Sequence, residues 1–142
     1  MSSVLLNLKK ICDFLQVELD TNVRIVECES LGEFHKLTAR PYSIAAVYST
    51  GTIWIQPFKI LRSKDIFEET LLHELLHHII SLNFDLPTWA QEGLILYLTG
   101  AKPENLVGYH KGYLLRFLKE VRHEDILSFI DHHRRIFTDQ SH

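Results

Sequence analysis

The chain has 142 residues, and we expect them to form one domain spanning 1–142. Its formal net charge of −3 is too small to indicate a nucleic-acid partner or an anionic membrane surface. No run approaches the roughly 20 apolar residues of a membrane-spanning helix, and no cationic segment precedes the first apolar residues. We therefore expect a cytoplasmic location by default, with secretion left open if a leader has been removed.

The first 40 residues predict a helix, a strand and a second helix. Residues 23–28 alternate between apolar and polar and predict the strand, and residues 30–37 predict the short second helix. That helix ends before Arg40-Pro41, because a residue that precedes proline avoids helical backbone angles. The first helix is predicted by apolar residues at spacings of three and four, namely Val4, Leu5, Leu8, Ile11, Cys12 and Leu15.

Two cysteines are too few for a disulfide framework. Cys12 and Cys28 can pair in an oxidising compartment, but neither stands at a metal-ligand spacing. We expect buried thiols, and their redox state stays open.

A β-hairpin is predicted next. Residues 44–48 and 52–56 are rich in strand-forming side chains and flank the turn sequence Ser49-Thr50-Gly51. Residues 1–62 therefore form the part that contains the sheet.

Residues 63–137 predict helices only. A helix over 66–82 begins with Asp65 and Glu68 spaced as a capping box. Thr88 and Gln91 have the same spacing at the start of the next helix, which Gly100 ends. Two more helices are predicted, at 109–121 and 124–136, and the tail 138–142 carries no structural signal. The order of elements favours an α+β fold in which a small mixed or antiparallel sheet with an edge hairpin packs on the first of these helices.

The sequence His73-Glu74-Leu75-Leu76-His77 lies inside the predicted helix 66–82. Residues four apart share a helix face, so His73 and His77 can present two imidazoles to one metal ion. Glu74 stands beside them as a base for a metal-bound water, and Glu92 can supply a carboxylate as third ligand. Three protein ligands and one open position are typical of catalytic zinc.

The bare motif is moderate evidence. With nine histidines, chance would produce this spacing in roughly one such chain in twenty. The competing interpretation is that His73 and His77 only make hydrogen bonds in the core. The helical context and Glu92 favour the metal site. His78 faces about 100° away from His77 and is interpreted as a core residue or as a residue that supports a ligand, not as a ligand itself.

Several segments together resemble the gluzincin metallopeptidases, the thermolysin-like zinc enzymes, and most closely their small single-domain members, the MA-like peptidase domains and minigluzincins. Residues 34–41 are similar to an F-x-x-x-T-G-x-P segment, and residues 72–77 contain H-E-x-x-H. The hairpin, the P-x-W-x-x-E-G segment and the Y-x-x-G-x-x-x-x-x-L helix of that family are similar to residues 45–55, 87–94 and 109–118. Two departures are Ala39 in place of the frequent glycine and Leu96 where larger members often have an acid.

The resemblance implies a zincin-like metallopeptidase domain, with zinc bound by His73, His77 and Glu92 and with Glu74 as catalytic base. The expected function is a zinc-dependent endopeptidase, a hydrolase acting on a peptide or protein substrate. Tyr109, His110 and Tyr113 are candidates for the donor that stabilises the oxyanion. The outer edge of the hairpin, residues Thr52, Ile53, Trp54 and Ile55, is expected to bind extended substrate by strand addition.

Two alternatives remain open. One is a catalytically silent peptidase-like binding module that uses the cleft and the edge strand. The other is a latent enzyme whose C-terminal tail, with Asp139 and His142, covers the cleft.

Overall fold

The computed structural model describes residues 2–136, so the predicted tail 138–142 and its role in latency lie outside the described residues. Within the described part, helices and one three-stranded sheet confirm the predicted α+β fold class. The elements are α1 (Ser2–Leu15), β1 (Arg24–Glu27), α2 (Leu31–Thr38), β2 (Ala46–Ser49), β3 (Thr52–Ile55), α3 (Phe58–Ser63), α4 (Phe67–Asn83), α5 (Thr88–Leu98), α6 (Gly108–Glu120) and α7 (Ile126–Asp131), with single 3-10 turns at Pro103–Asn105 and His123–Asp125. Among residues 2–136, no helix combines the length and apolarity needed to cross a membrane.

The chain divides into two compact units, and the boundary lies inside α4, between Ile79 and Ile80. The first unit contains α1, the sheet, α2, α3 and most of α4. The second contains the last turn of α4 and the helices α5 to α7. A single domain over 1–142 stays a prediction.

Helix α1 has the amphipathic character predicted for it. Its buried side chains are Val4, Leu8, Cys12 and Leu15, at spacings of four, four and three, whereas Leu5 is 42% exposed. Cys12 and Cys28 are both free and only 1% exposed. Burial raises the pKa of the Cys12 thiol to about 11, and it also raises the pKa of Cys28.

The sheet has the strand order β1-β3-β2, with β1 parallel and β2 antiparallel to β3. The predicted hairpin is confirmed: Thr50 and Gly51 have φ values of 41° and 86°. Positive φ at both central residues is typical of a type I′ turn, whose twist matches that of the strands. Ile53 and Ile55 are fully buried while Trp54 between them is half-buried, so one face of β3 covers the core of the first unit.

The prediction that Thr52, Ile53, Trp54 and Ile55 form an edge strand is wrong. These four residues are β3, which pairs with β1 on one side and with β2 on the other. The hairpin sequence predicts only the antiparallel partner of β3. The parallel partner is β1, residues 24–27, which is distant in the chain, so local sequence patterns do not reveal this pairing. Among the described strands, β1 and β2 are the edges.

Helix α2 begins and ends as its sequence predicts. The Ser30 hydroxyl accepts a hydrogen bond from the backbone N–H of Glu33 at 3.0 Å, and the Glu33 carboxylate accepts one from the N–H of Glu29 at 2.9 Å. At the other end, Ala39 has a left-handed φ of 58°, and its N–H donates to the carbonyl of His35 at 2.8 Å.

Both capping boxes predicted in the helical half are wrong. Asp65 has a φ of 59° and donates its N–H to the Arg62 carbonyl, so it lies in the turn that follows α3, a six-residue helix that was not predicted. An N-cap residue has extended backbone angles instead. Thr88 already lies inside α5, because Pro87 is the N-cap residue and makes no side-chain capping bond.

The last predicted helix, 124–136, is shorter than expected. Helix α7 ends at Asp131, and Arg134 forms a β-bridge with Phe84. The N–H of Arg135 donates to the Asn83 carbonyl at 2.8 Å, and its guanidinium donates to the Ser81 carbonyl at 2.7 Å. The end of α4 therefore supplies acceptors for this segment, which competes with continuing the helix.

Candidate metal centre

Helix α4 carries the histidine pair of the motif. His73 and His77 are both half-buried, their ring centroids are 5.0 Å apart, and their planes meet at 64°. Glu74, which follows His73 in the sequence, is buried, with 8% of its surface exposed. The helical periodicity thus brings the two imidazoles onto one face, as the spacing predicts.

His78, the next residue, is only 3% exposed, and both of its ring nitrogens have protein partners. The Tyr48 hydroxyl is 3.1 Å from Nδ1, and Nε2 is 3.1 Å from an Asp20 carboxylate oxygen. The Tyr48 hydroxyl also accepts the backbone N–H of Gly51 at 3.0 Å. This supports the interpretation of His78 as a core residue rather than a metal ligand.

The Asp20 carboxylate ends this hydrogen-bonded chain. The backbone N–H of Asn22 donates to it at 2.7 Å, and this bond, followed by the one from His78, lowers the pKa of Asp20 below its ordinary value of 3.8. The chain from Gly51 through Tyr48 and His78 to Asp20 fixes the hairpin turn and the loop before β1 to the helix that carries the motif.

In the second unit, α5 presents Glu92 and α6 presents His110. Glu92 is half-buried and His110 is exposed, and a carboxylate oxygen of the first lies within 4.8 Å of a ring nitrogen of the second. The motifs predicted Glu92 as a metal ligand, whereas His110 was predicted only as a candidate oxyanion donor. No local pattern pairs the two residues, because their proximity arises from packing between helices.

The other two residues named on α6 differ in exposure. Tyr109 is 84% exposed, whereas Tyr113 is half-buried, and their rings stack with centroids 6.2 Å apart. Their roles in substrate binding or oxyanion stabilisation stay predictions.

The glycine that follows Glu92 has a packing function. A Cβ added at Gly93 would lie 2.5 Å from the Cβ of Phe117 and 2.9 Å from the carbonyl oxygen of Tyr113. Only a residue without a side chain lets α5 approach α6 this closely. The Glu-Gly pair of the motif therefore combines a candidate ligand with the contact that holds its helix against α6.

The residues fit a zinc ion by chemistry. Imidazole nitrogens and a carboxylate oxygen are typical zinc ligands, and His73, His77 and Glu92 are each half-buried. No family model, curated protein or solved structure matches this chain. The resemblance to gluzincins therefore stays a prediction that rests on the motifs.

Proposed function

We propose that the protein is a zinc-dependent endopeptidase in which His73, His77 and Glu92 bind the metal and Glu74 is the catalytic base. The observation that carries the proposal is the half-buried pair of imidazoles on α4, together with the buried Glu74 that follows His73 in this helix. A buried acid next to two histidines of this geometry is expected where a proton must be transferred away from bulk water.

Glu92 would be the third ligand. It is half-buried on α5, one residue before the glycine at which this helix packs against α6. The proposal requires the Glu92 carboxylate to reach the ion held by the two imidazoles.

When bound, zinc would polarise the scissile carbonyl and lower the pKa of a coordinated water. Glu74 accepts a proton from the attacking water as the new carbon–oxygen bond forms. It then donates that proton to the amide nitrogen as the carbon–nitrogen bond breaks, which yields a carboxylic acid and an amine.

Strand β2, rather than β3, is the edge that suits an extended substrate. It is antiparallel to β3 and pairs with no other described strand. Because Gln56 donates its N–H to the Ala45 carbonyl, the alternation of the ladder directs the backbone groups of Tyr48 away from β3. A peptide paired there gains backbone hydrogen bonds and little sequence preference.

Metal analysis and one conservative substitution test the proposal. The purified protein should contain about one zinc per chain, and His73→Ala, His77→Ala and Glu92→Ala should each lose it. Glu74→Gln should keep zinc while cleavage of labelled casein falls by about two to four orders of magnitude. His132→Ala, a change at an exposed histidine of the second unit, is the control.

Zinc retained in all three ligand variants would refute the site. Equal casein cleavage by Glu74→Gln and the unmodified protein would refute the role of Glu74. Zinc binding without cleavage in any form would favour the silent binding module.

A further inference from the structure

His110 lies close to Glu92, the zinc ligand that the proposed function takes from the second unit. Zinc bonds to nitrogen and oxygen of about 2.0–2.2 Å place two ligand atoms of a tetrahedral site about 3.4 Å apart. A carboxylate oxygen of Glu92 and a ring nitrogen of His110 are already within 4.8 Å of each other. Joint binding of one zinc ion would bring these two atoms closer by at most about 1.4 Å.

From this geometry, and resting on the proposed function, we infer that His110 is a fourth zinc ligand that holds the resting enzyme latent. Three protein ligands leave one position for water or substrate, whereas four close the site, as in structural zinc centres. With the imidazole of His110 in that position, the water that Glu74 would deprotonate has no place. The intact motif and an inactive resting state are then compatible.

The first turn of α6, which carries His110, lies at the surface of the second unit. Val107 and Tyr109, on either side of Gly108, are both 84% exposed, and Gly108 has a φ of 64°. The first buried side chain of α6 is Leu114, four residues beyond His110. Rearrangement of this turn would therefore leave the buried core of the second unit closed.

This role and the role of oxyanion donor predict opposite results for one substitution. A donor acts only in the transition state, so removing it lowers cleavage and leaves the affinity for zinc unchanged. A blocking ligand contributes to zinc affinity and prevents turnover, so removing it lowers the affinity and raises cleavage.

The experiment compares His110→Ala with the unmodified protein and with His132→Ala as matched control. Zinc affinity is measured by competition with a chromophoric chelator, and cleavage is measured on labelled casein at saturating zinc. We expect His110→Ala to bind zinc about tenfold more weakly or worse, and to cleave casein severalfold faster. The visible spectrum of the cobalt-substituted protein should change in His110→Ala and not in the control.

Unchanged zinc affinity in His110→Ala would overturn the inference, and so would weaker zinc binding accompanied by slower cleavage. Both outcomes leave the proposed function intact, because that function fails on a different result: a zinc affinity of His73→Ala, His77→Ala and Glu92→Ala equal to that of the unmodified protein.

Discussion

Replacing Gly93 by alanine tests the packing that places Glu92. The added methyl group would lie 2.5 Å from the Phe117 Cβ, where an ordinary contact is at least 3.4 Å, so α5 and α6 must separate by about 0.9 Å. Neither Phe117 Cβ nor the Tyr113 carbonyl oxygen is the far end of a flexible side chain. The strain therefore falls on the backbones of both helices.

Two opposing effects set the magnitude. Alanine gains about 1 kcal/mol over glycine in a helix interior, whereas overpacking a close contact costs about 1–3 kcal/mol. The upper part of that range applies because the contacted atoms cannot rotate away, which leaves a net destabilisation of about 1–2 kcal/mol. For a chain of 142 residues, each kcal/mol lowers Tm by about 3 °C, so we expect a decrease of roughly 3–6 °C.

Gly112→Ala provides the matched control. Gly112 lies inside α6, and a Cβ there would meet no atom within 4 Å, so the same substitution gains helix propensity without a clash. Thermal unfolding followed by circular dichroism should show Gly112→Ala at or above the Tm of the unmodified protein. A Gly93→Ala protein that melts at or above that Tm, or a Gly112→Ala protein that loses as much, would refute the reasoning.

Two further predictions concern the first unit. Ala39→Gly should raise the free energy of unfolding by about 0.5–1 kcal/mol. The left-handed φ of 58° strains alanine, and relief of this strain outweighs the additional chain entropy that glycine loses on folding. A lower Tm would contradict this. Asp20→Asn should lower Tm at pH 7 by an amount equivalent to less than ~1 kcal/mol, since the carboxylate is 40% exposed. The pKa of Asp20 is lowered in the folded protein, so its contribution is complete above the ordinary value of 3.8 and is lost as pH falls through the lower folded-state value. The Tm difference should therefore vanish in acid, and a constant difference from pH 7 to pH 2 would show that ionisation of Asp20 is not its cause.

The sequence predicted those elements whose signal is local and repeated. Helices α1 and α4 and the β2–β3 hairpin follow from side-chain periodicity and turn chemistry, and the structure agrees with them. The predicted starts of α4 and α5 were less accurate. Asp65 lies in the turn before α4 and is not its N-cap residue, and Thr88 lies in the first turn of α5. The same side chains occur at N-cap and neighbouring positions, so only the backbone angles distinguish these positions.

Features that depend on distant segments were beyond the sequence. The central position of β3 requires β1 as a parallel partner, and the proximity of Glu92 to His110 requires the close packing of α5 on α6. Within the site, the one-face arrangement of His73 and His77 was predictable because it depends only on the helical repeat.

The reactivity of the two buried thiols measures local opening of the first unit. The thiolate is the form that reacts with maleimides and disulfides, and the raised pKa values of Cys12 and Cys28 leave little of it at neutral pH. With 1% of each residue accessible, a reagent must wait for the surrounding structure to open. Both cysteines of the chain lie before residue 79, in the first unit. The rate of alkylation therefore measures local unfolding of the first unit, and the second unit contributes no signal.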